Sequence, residues 1–410
     1  MATEFTQFLP YGRQLIDDDD VAAVERVLRS DWLTTGPAVD EFERVLAEKV
    51  GTKDAVACAN ATAGLHLAVL CLQLEAGDLV VVPSVTFLAT ANVVRHVGAE
   101  VIFADVDPST GLMGPEQLEE VISRANAGPL KAVIPVHLGG QCADPPAIAE
   151  ICASQSLHIL EDAAHSLGTL YQTKEELCKV GACRHSDMSV FSFHPVKTAT
   201  MGEGGAVMTN NQHQAARLRR YRNHGITRAP EEFVQQNFAQ NPASHTNPWY
   251  YEMVSPGFNY RASDIHCVLG LSQLSKLDEF VARRRFLADR YDQLLAPLSP
   301  VLAPLRRVDD CQPAWHIYVV RIDFSAIGLD RAAFMARLRD QGVGSQVHYI
   351  PLHLQPYYQR RYGKIHLSGA EKYYESALSL PLFPAMDEAD VDRVAATISE
   401  IVEVGLRAGA

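Results

Sequence analysis

Apolar residues near the start of the chain recur with helical spacing. Val21, Val24, Val27 and Leu28 form one stripe behind the acidic run Asp17–Asp20, placed where the positive end of a helix dipole favours carboxylates. Gly36-Pro37 breaks the chain and opens a second stripe through Val39, Phe42, Val45 and Leu46, with Gly51 as its stop. The pattern then shortens to compact apolar runs separated by helical stretches. Ala55–Ala59 meets NATAG and the helix LHLAVLCLQL. After the turn at Gly77-Asp78 come the strand Leu79–Val82, a helix over 86–97 and the strand Val101–Ala104. KAVIPV (131–136) and LHIL (157–160) follow as strands, with the helix DPPAIAEICASQ between them. Short buried strands alternating with helices predict a mostly parallel sheet with helices on both faces.

The rhythm changes near Leu271. A long charged helix runs through SKLDEFVARRRFLADRYDQLL, and Pro297–Pro304 breaks it. The remainder reads as a strand (His316–Ile322), a helix (331–341), a Pro/His/Tyr-rich stretch (343–360) and helices at 370–379 and 387–405. The expected organisation is a large α/β unit over 1–270, then a connecting helix and a small α+β unit over 271–410. A polar segment around 228–250, rich in Asn, Pro and Gln, predicts an irregular excursion. No internal repeat is visible.

Composition narrows the function. The chain has 410 residues, 47% hydrophobic and 21% charged, which is globular. Its 36 basic and 49 acidic residues give a net charge of −13, which argues against a nucleic-acid or anionic-membrane binder but leaves room for a small anionic ligand. The eight cysteines form no C-x-x-C pair. The opening MATEFTQFLPYGRQLIDDDD lacks the basic and apolar regions of a signal peptide, and no apolar run reaches membrane-spanning length. Those features point to a cytoplasmic protein. There is no H-E-x-x-H, and His348 and His353 stand five apart beside prolines, so no metal site is expected.

The stretch FSFHPVKTATMGEGGAVMTN (191–210) is the most informative. It reads as a strand (Ser189–Phe193), a loop holding Lys197, a turn with Gly202, Gly204 and Gly205, and a second strand. A lysine in a loop between buried strands can be desolvated, which lowers its pKa and makes it a Schiff-base nucleophile. An isolated loop lysine is more commonly just solvated. EDAAHS (161–166) follows LHIL and puts Asp162 at the carboxyl end of a parallel strand, where open α/β sheets bind ligands. Alone, Asp162 serves equally as a helix cap. NATAG offers backbone N–H groups and Thr62 at a helix N-terminus, either a phosphate seat or an ordinary cap. Phe87, by itself, reads as core. Together these pieces fit pyridoxal phosphate, which needs a lysine, a carboxylate for the pyridine nitrogen, a phosphate cup and a flat group over the ring.

In this order, the same residues resemble the DegT-type nucleotide-sugar aminotransferases among fold-type-I pyridoxal-phosphate enzymes. The resemblance runs from YGRQLIDDDD through SLPLFPAMDEADVDRV, and FSFHPVK…GEGGAV is its most specific block. It implies Lys197 as the Schiff-base lysine and proton shuttle, and Asp162 as the partner of the ring nitrogen. His165 is implied to contact the ring's phenolic oxygen and Phe87 to stack on the ring. Ala61, Thr62 and Ser192 are implied to hold the phosphate, and Asn259, in GFNYRASDI, to reach the phosphate of a neighbouring subunit. That last role implies a homodimer with shared sites. SDWLTTGP (30–37) and QVHYIPLHLQPYYQRRYG (346–363) are most similar to the C4 aminotransferases of pseudaminic acid biosynthesis, which use a UDP-linked 4-keto-6-deoxy-N-acetyl sugar and glutamate, released as 2-oxoglutarate. On that likeness Tyr11, Asp31, Trp32, Leu33, Thr34, Val347, His348, Tyr349 and Ile350 line the sugar-nucleotide site, although aromatic and histidine residues there could equally pack a domain interface.

Other readings are weaker. A dehydratase of the same family has His where Lys197 stands, and a sugar-sensing regulator would be expected to lack Lys197 or Asp162. A nicotinamide-dependent dehydrogenase needs G-x-G-x-x-G between a strand and a helix, and none is present. An aminotransferase for another nucleotide-linked keto sugar, dTDP or GDP, at C3 or C4, stays open.

Overall fold

The computed structural model describes residues 8–125 and 128–409; the first seven residues of the stretch read for a signal peptide lie outside it. Its centre is a seven-stranded sheet. Across it run Asp54–Cys58, Gly205–Thr209, Met188–Ser192, His158–Asp162, Leu130–Val133, Leu79–Pro83 and Glu100–Ala104. Only Gly205–Thr209 runs against its neighbours; the other pairings inside the sheet are parallel. The Leu79–Pro83 and Met188–Ser192 strands are buried throughout, as a sheet covered on both faces requires. The helix Ala61–Cys71 is apolar nearly all round because it lies inside the large core, between the sheet and the helices Leu88–His96 and Gln212–Arg222.

A second core gathers around a three-stranded antiparallel sheet, Leu302–Pro304, Tyr318–Ile322 and Ala377–Leu380, with the helices Leu277–Leu295, Arg331–Asp340 and Glu388–Gly409. Leu9, from the other end of the chain, packs into it. Among the described residues no helix is long and apolar enough to cross a membrane.

Several expectations shift. The helix expected over 370–379 ends at Ser376, and Ala377–Leu380 is a strand paired with Tyr318–Ile322. A four-residue apolar run does not distinguish strand from helix, and the waiting sheet edge decides it. The Pro/His/Tyr-rich stretch contains a helix, Pro356–Tyr362, opened by a proline at its first position. Ahead of the long charged helix lies another, Asp264–Ser275, capped by the Ser263 side chain, so residue 270 falls inside a helix that packs on Asp18–Leu28 and Pro37–Val50. The excursion near 228–250 is a set of short pieces tied at its base by Ile226–Thr227 against Glu252–Met253.

Candidate active site

The strand His158–Asp162 delivers Asp162 as its last residue, and the neighbouring strand delivers Ser192. Beyond Ser192 the chain loops out and returns: Phe193 takes the Met201 N–H (2.9 Å) and the Thr200 hydroxyl (3.2 Å) on its carbonyl, closing a loop that presents Lys197 over the strand ends. The antiparallel strand then begins at Gly205. A Cβ there would meet the carbonyl carbon and oxygen of Asn60 and the nitrogen of Ala61 at 2.4, 2.5 and 2.6 Å, so only glycine lets the strand pass under the amino end of the Ala61–Cys71 helix. Asn60 caps that helix through the Ala63 N–H (2.9 Å), while the N–H groups of Ala61 and Thr62 have no partner within it.

These elements converge on one cavity of about 710 Å³. Tyr11, Ala61, Thr62, Phe87, Asp162, His165, Ser192, Lys197, His348 and Tyr349 all line it. Asp162 is 5% exposed; its Oδ2 accepts from the Thr90 hydroxyl (2.7 Å) and its Oδ1 from the Ala164 N–H (3.2 Å). Burial raises the pKa of this carboxyl, against those hydrogen bonds and the charge of Lys197. Lys197 is partly accessible through the cavity, yet protein surrounds its amine; burial lowers its pKa to about 8, with Asp162 opposing. Burial also drives His165 well below its usual value. The Gly139 N–H donates to His165 Nδ1 (3.2 Å), which leaves the proton of the neutral ring on Nε2, 3.2 Å from the Tyr349 hydroxyl. His348 shares a 2.8 Å hydrogen bond with the Ser379 hydroxyl, and burial lowers its pKa to about 3.

The remaining expected residues stand apart. Asp31, Trp32, Leu33 and Thr34 are exposed and do not line the cavity. The loop that carries them is pinned at Thr34 to Ser263, and Trp32 and Thr34 border an open recess with Asn223, His224, Arg228 and Arg261. Val347 is half-buried outside the cavity and Ile350 is 47% exposed, because only His348 and Tyr349 of that stretch turn inward. Asn259 is exposed and bridged to Asn223. Its neighbours' backbones are held by Phe258 N–H to the Tyr221 carbonyl (2.7 Å) and Tyr260 N–H to the Arg222 carbonyl (3.1 Å), so the backbone is fixed while the side chain faces outward.

The structure also adds residues that sequence reasoning passed over. Thr90 reaches Asp162 across 72 positions, and His316 places Nε2 3.4 Å from the Lys197 amine. His66, His96, His194, Glu203 and Tyr260 line the cavity too. His194 and Glu203 lie within the 191–210 block and Tyr260 within GFNYRASDI, where the lysine, the glycines and Asn259 drew the reading instead; a histidine opening an apolar strand, like His316, reads as a strand end.

The profile of the DegT/DnrJ/EryC1/StrS aminotransferase family matches residues 14–399. The spore coat polysaccharide biosynthesis protein SpsC of Bacillus subtilis (strain 168) is 36% identical over 406 residues, which is 98% of this chain and 99% of SpsC. Helicobacter pylori PseC, an aminotransferase involved in the biosynthesis of pseudoaminic acid, superposes with a TM-score of 0.85 at 27% identity, covering 97% of this chain and 100% of PseC. Spr1654 of Streptococcus pneumoniae, in its PLP-form, does so with a TM-score of 0.84 at 27% identity over 97% and 100% of the two chains.

Proposed function

This chain belongs to the DegT/DnrJ/EryC1/StrS aminotransferase family, and from that premise we propose its reaction: transfer of the amino group of glutamate to C4 of a UDP-linked 4-keto-6-deoxy-N-acetylhexosamine. It is a pyridoxal-phosphate-dependent sugar aminotransferase; the sugar, the carbon, the nucleotide and the donor are the proposal.

The observation that carries the reading is the convergence of a buried lysine amine, a buried carboxylate and an open helix N-terminus on one cavity. That donor set fits pyridoxal phosphate, and the glycine at 205 lets its strand pass close under the Asn60–Ala61 backbone that opens the helix. When bound, the cofactor supplies a carbonyl carbon to which amines attach and a ring that draws off the electron pair of a broken C–H bond. The chain supplies the rest. Ala61 and Thr62 N–H groups and the Thr62 and Ser192 hydroxyls hold the phosphate. Phe87 and His165 line the cavity where the ring would sit, Phe87 offering a flat face to it and His165 a hydrogen bond to its phenolic oxygen. Asp162, oriented by Thr90 and Ala164, would face the ring nitrogen and favour a proton there. Lys197 would carry the cofactor, and its buried amine would hold and deliver the proton that moves during the transfer.

Recognition of the sugar falls to Tyr11, His348 and Tyr349 inside and to the Asp31–Thr34 loop outside. No arginine lines the cavity, whereas Arg228 and Arg261 border the recess beside Trp32 and Thr34, where a diphosphate needs cations against a net charge of −13. SpsC and PseC are both named for making carbohydrate products, a spore coat polysaccharide and pseudoaminic acid, which supports a sugar substrate. The breadth of that pair keeps a second reading, a dTDP- or GDP-linked sugar aminated at C3 or C4.

Two measurements test this. Borohydride should fix the cofactor on Lys197, and a peptide map with the label on another lysine sinks the cofactor assignment. Product masses from UDP-, dTDP- and GDP-4-keto-6-deoxy sugars with glutamate should show amination of the UDP substrate. Turnover of only a dTDP or GDP sugar overturns the substrate proposal and leaves the cofactor assignment standing.

A further inference from the structure

His316 enters the cavity from the second core, in a segment far from any of the motifs. The chain turns into the Tyr318–Ile322 strand through Trp315, whose left-handed backbone (φ 50°) is uncommon for a bulky residue and is kept only where its surroundings demand it. What surrounds it is specific. The fully buried guanidinium of Arg284 donates to the carbonyls of Trp315 (3.2 Å), His316 (3.2 Å) and Leu382 (2.9 Å), with no carboxylate among the partners these bonds give it. The His316 N–H donates to the Gly139 carbonyl at 3.0 Å. Gly140 packs so closely that a Cβ there would lie 2.8 Å from the Trp315 nitrogen and 3.2 Å from the His165 carbonyl. A buried cation and a glycine turn thus fix one imidazole, 4% exposed, with Nε2 3.4 Å from Lys197 Nζ and Nδ1 without a hydrogen-bond partner among the described residues.

We propose that His316 is a positioning residue: its Nε2 accepts a hydrogen bond from the Lys197 amine and keeps the shuttled proton on that lysine between its removal from one carbon and its delivery to the other. The inference rests on Lys197 being the cofactor lysine. The groups facing His316 are Lys197, His165, His348 and Arg284, none of them a carboxylate. With burial they hold the imidazole neutral, so it accepts a hydrogen bond from the ammonium without taking its proton. Facing Lys197 are Asp162, His165, His316 and His348; Asp162 favours the ammonium by charge, and His316 is the acceptor in hydrogen-bonding range.

The test reads the lysine itself. In cofactor-free protein, the pH dependence of Lys197 acetylation by acetic anhydride, followed by mass spectrometry, gives its pKa. His316→Leu should lower that pKa by about one unit, since a hydrogen bond to the charged form is lost. His316→Gln, which keeps an acceptor, should stay close to wild type. An unchanged or raised pKa in His316→Leu, or an equal fall in both variants, overturns the proposal. Should His316→Leu fail to fold, nitrogen NMR of wild-type protein with labelled histidine decides instead. His316, assigned by its absence in His316→Gln, should show a neutral ring with its proton on Nδ1 and Nε2 bare as the acceptor. A proton on Nε2, or a charged ring at neutral pH, would contradict the inference. Borohydride labelling of a lysine other than Lys197 would instead remove the premise, a failure separable from this one.

Discussion

At the floor of the cavity, Asp162, His165, His316 and His348 are each less than a tenth exposed, and each has a pKa displaced mainly by burial. Outside the cavity, the exposed rim formed by Asp31–Thr34 and Asn259 lies open, with Trp32 55% exposed. The two regions differ in what a single chain can finish. The floor has its hydrogen bonds and charges arranged within one chain. The rim displays the large aromatic ring of Trp32, the outward amide of Asn259, and two arginines, of which Arg261 donates to the Asn223 side chain (2.7 Å) and Arg228 lies over the Tyr251 ring. Desolvation shifts the titration of the floor groups, whereas the rim side chains stay in solvent, where the recognition proposed for them depends on what arrives from outside.

The sharpest way to break this contrast is at Lys197. Lys197→Met should lower turnover by on the order of 10⁴-fold or more. It should also stabilise the cofactor-free protein, and the sign follows from the burial. The folded-state pKa of about 8 lies below the free value of 10.5, so the unfolded chain binds more protons between them and stability rises with pH through that window. Below pH 8 the variant should therefore be more stable than wild type by about 3 kcal/mol, and the difference should fade above about pH 10. Urea melts across that range check it, and equal stability at every pH would mean the lysine is not held in a desolvated site.

Asp162→Asn should retain cofactor but lose about 10³-fold in rate, because an amide cannot hold the ring proton electrostatically. A near-wild-type rate would move that role to another group. The rim should respond differently. Trp32→Ala should raise KM for the sugar nucleotide by about tenfold, the loss expected from one aromatic–base stack, and leave the half-reaction with glutamate unchanged. Damage to both half-reactions would erase the distinction between floor and rim.

The same contrast explains what could be read from the sequence. Residues 191–210 carry the lysine loop and the glycine turn in one contiguous block, and Asp162 ends a recognisable apolar strand, so ten of the expected residues meet at the cavity. Thr90 and His316 act through contacts 72 and 119 positions long, which no local period encodes. Ala377–Leu380 becomes a strand only because Tyr318–Ile322 offers an edge. Asp31–Thr34 are legible as a motif, but their exposed placement beside Arg228 and Arg261 is a tertiary fact.

If the floor belongs to one chain and the rim is completed by another, Asn259 must serve a second copy's phosphate. Asn259→Asp should then be nearly inactive through like-charge repulsion, and Lys197→Ala inactive for want of its amine. In a mixed dimer, one site combines an intact Lys197 with an intact Asn259 from the opposite chain. Exchanging subunits between the two inactive variants should restore activity to roughly a quarter of wild type, since half of the dimers are mixed and each has one working site. No recovery after exchange has been demonstrated by mass would mean that Asn259 does not act across subunits, contradicting the account.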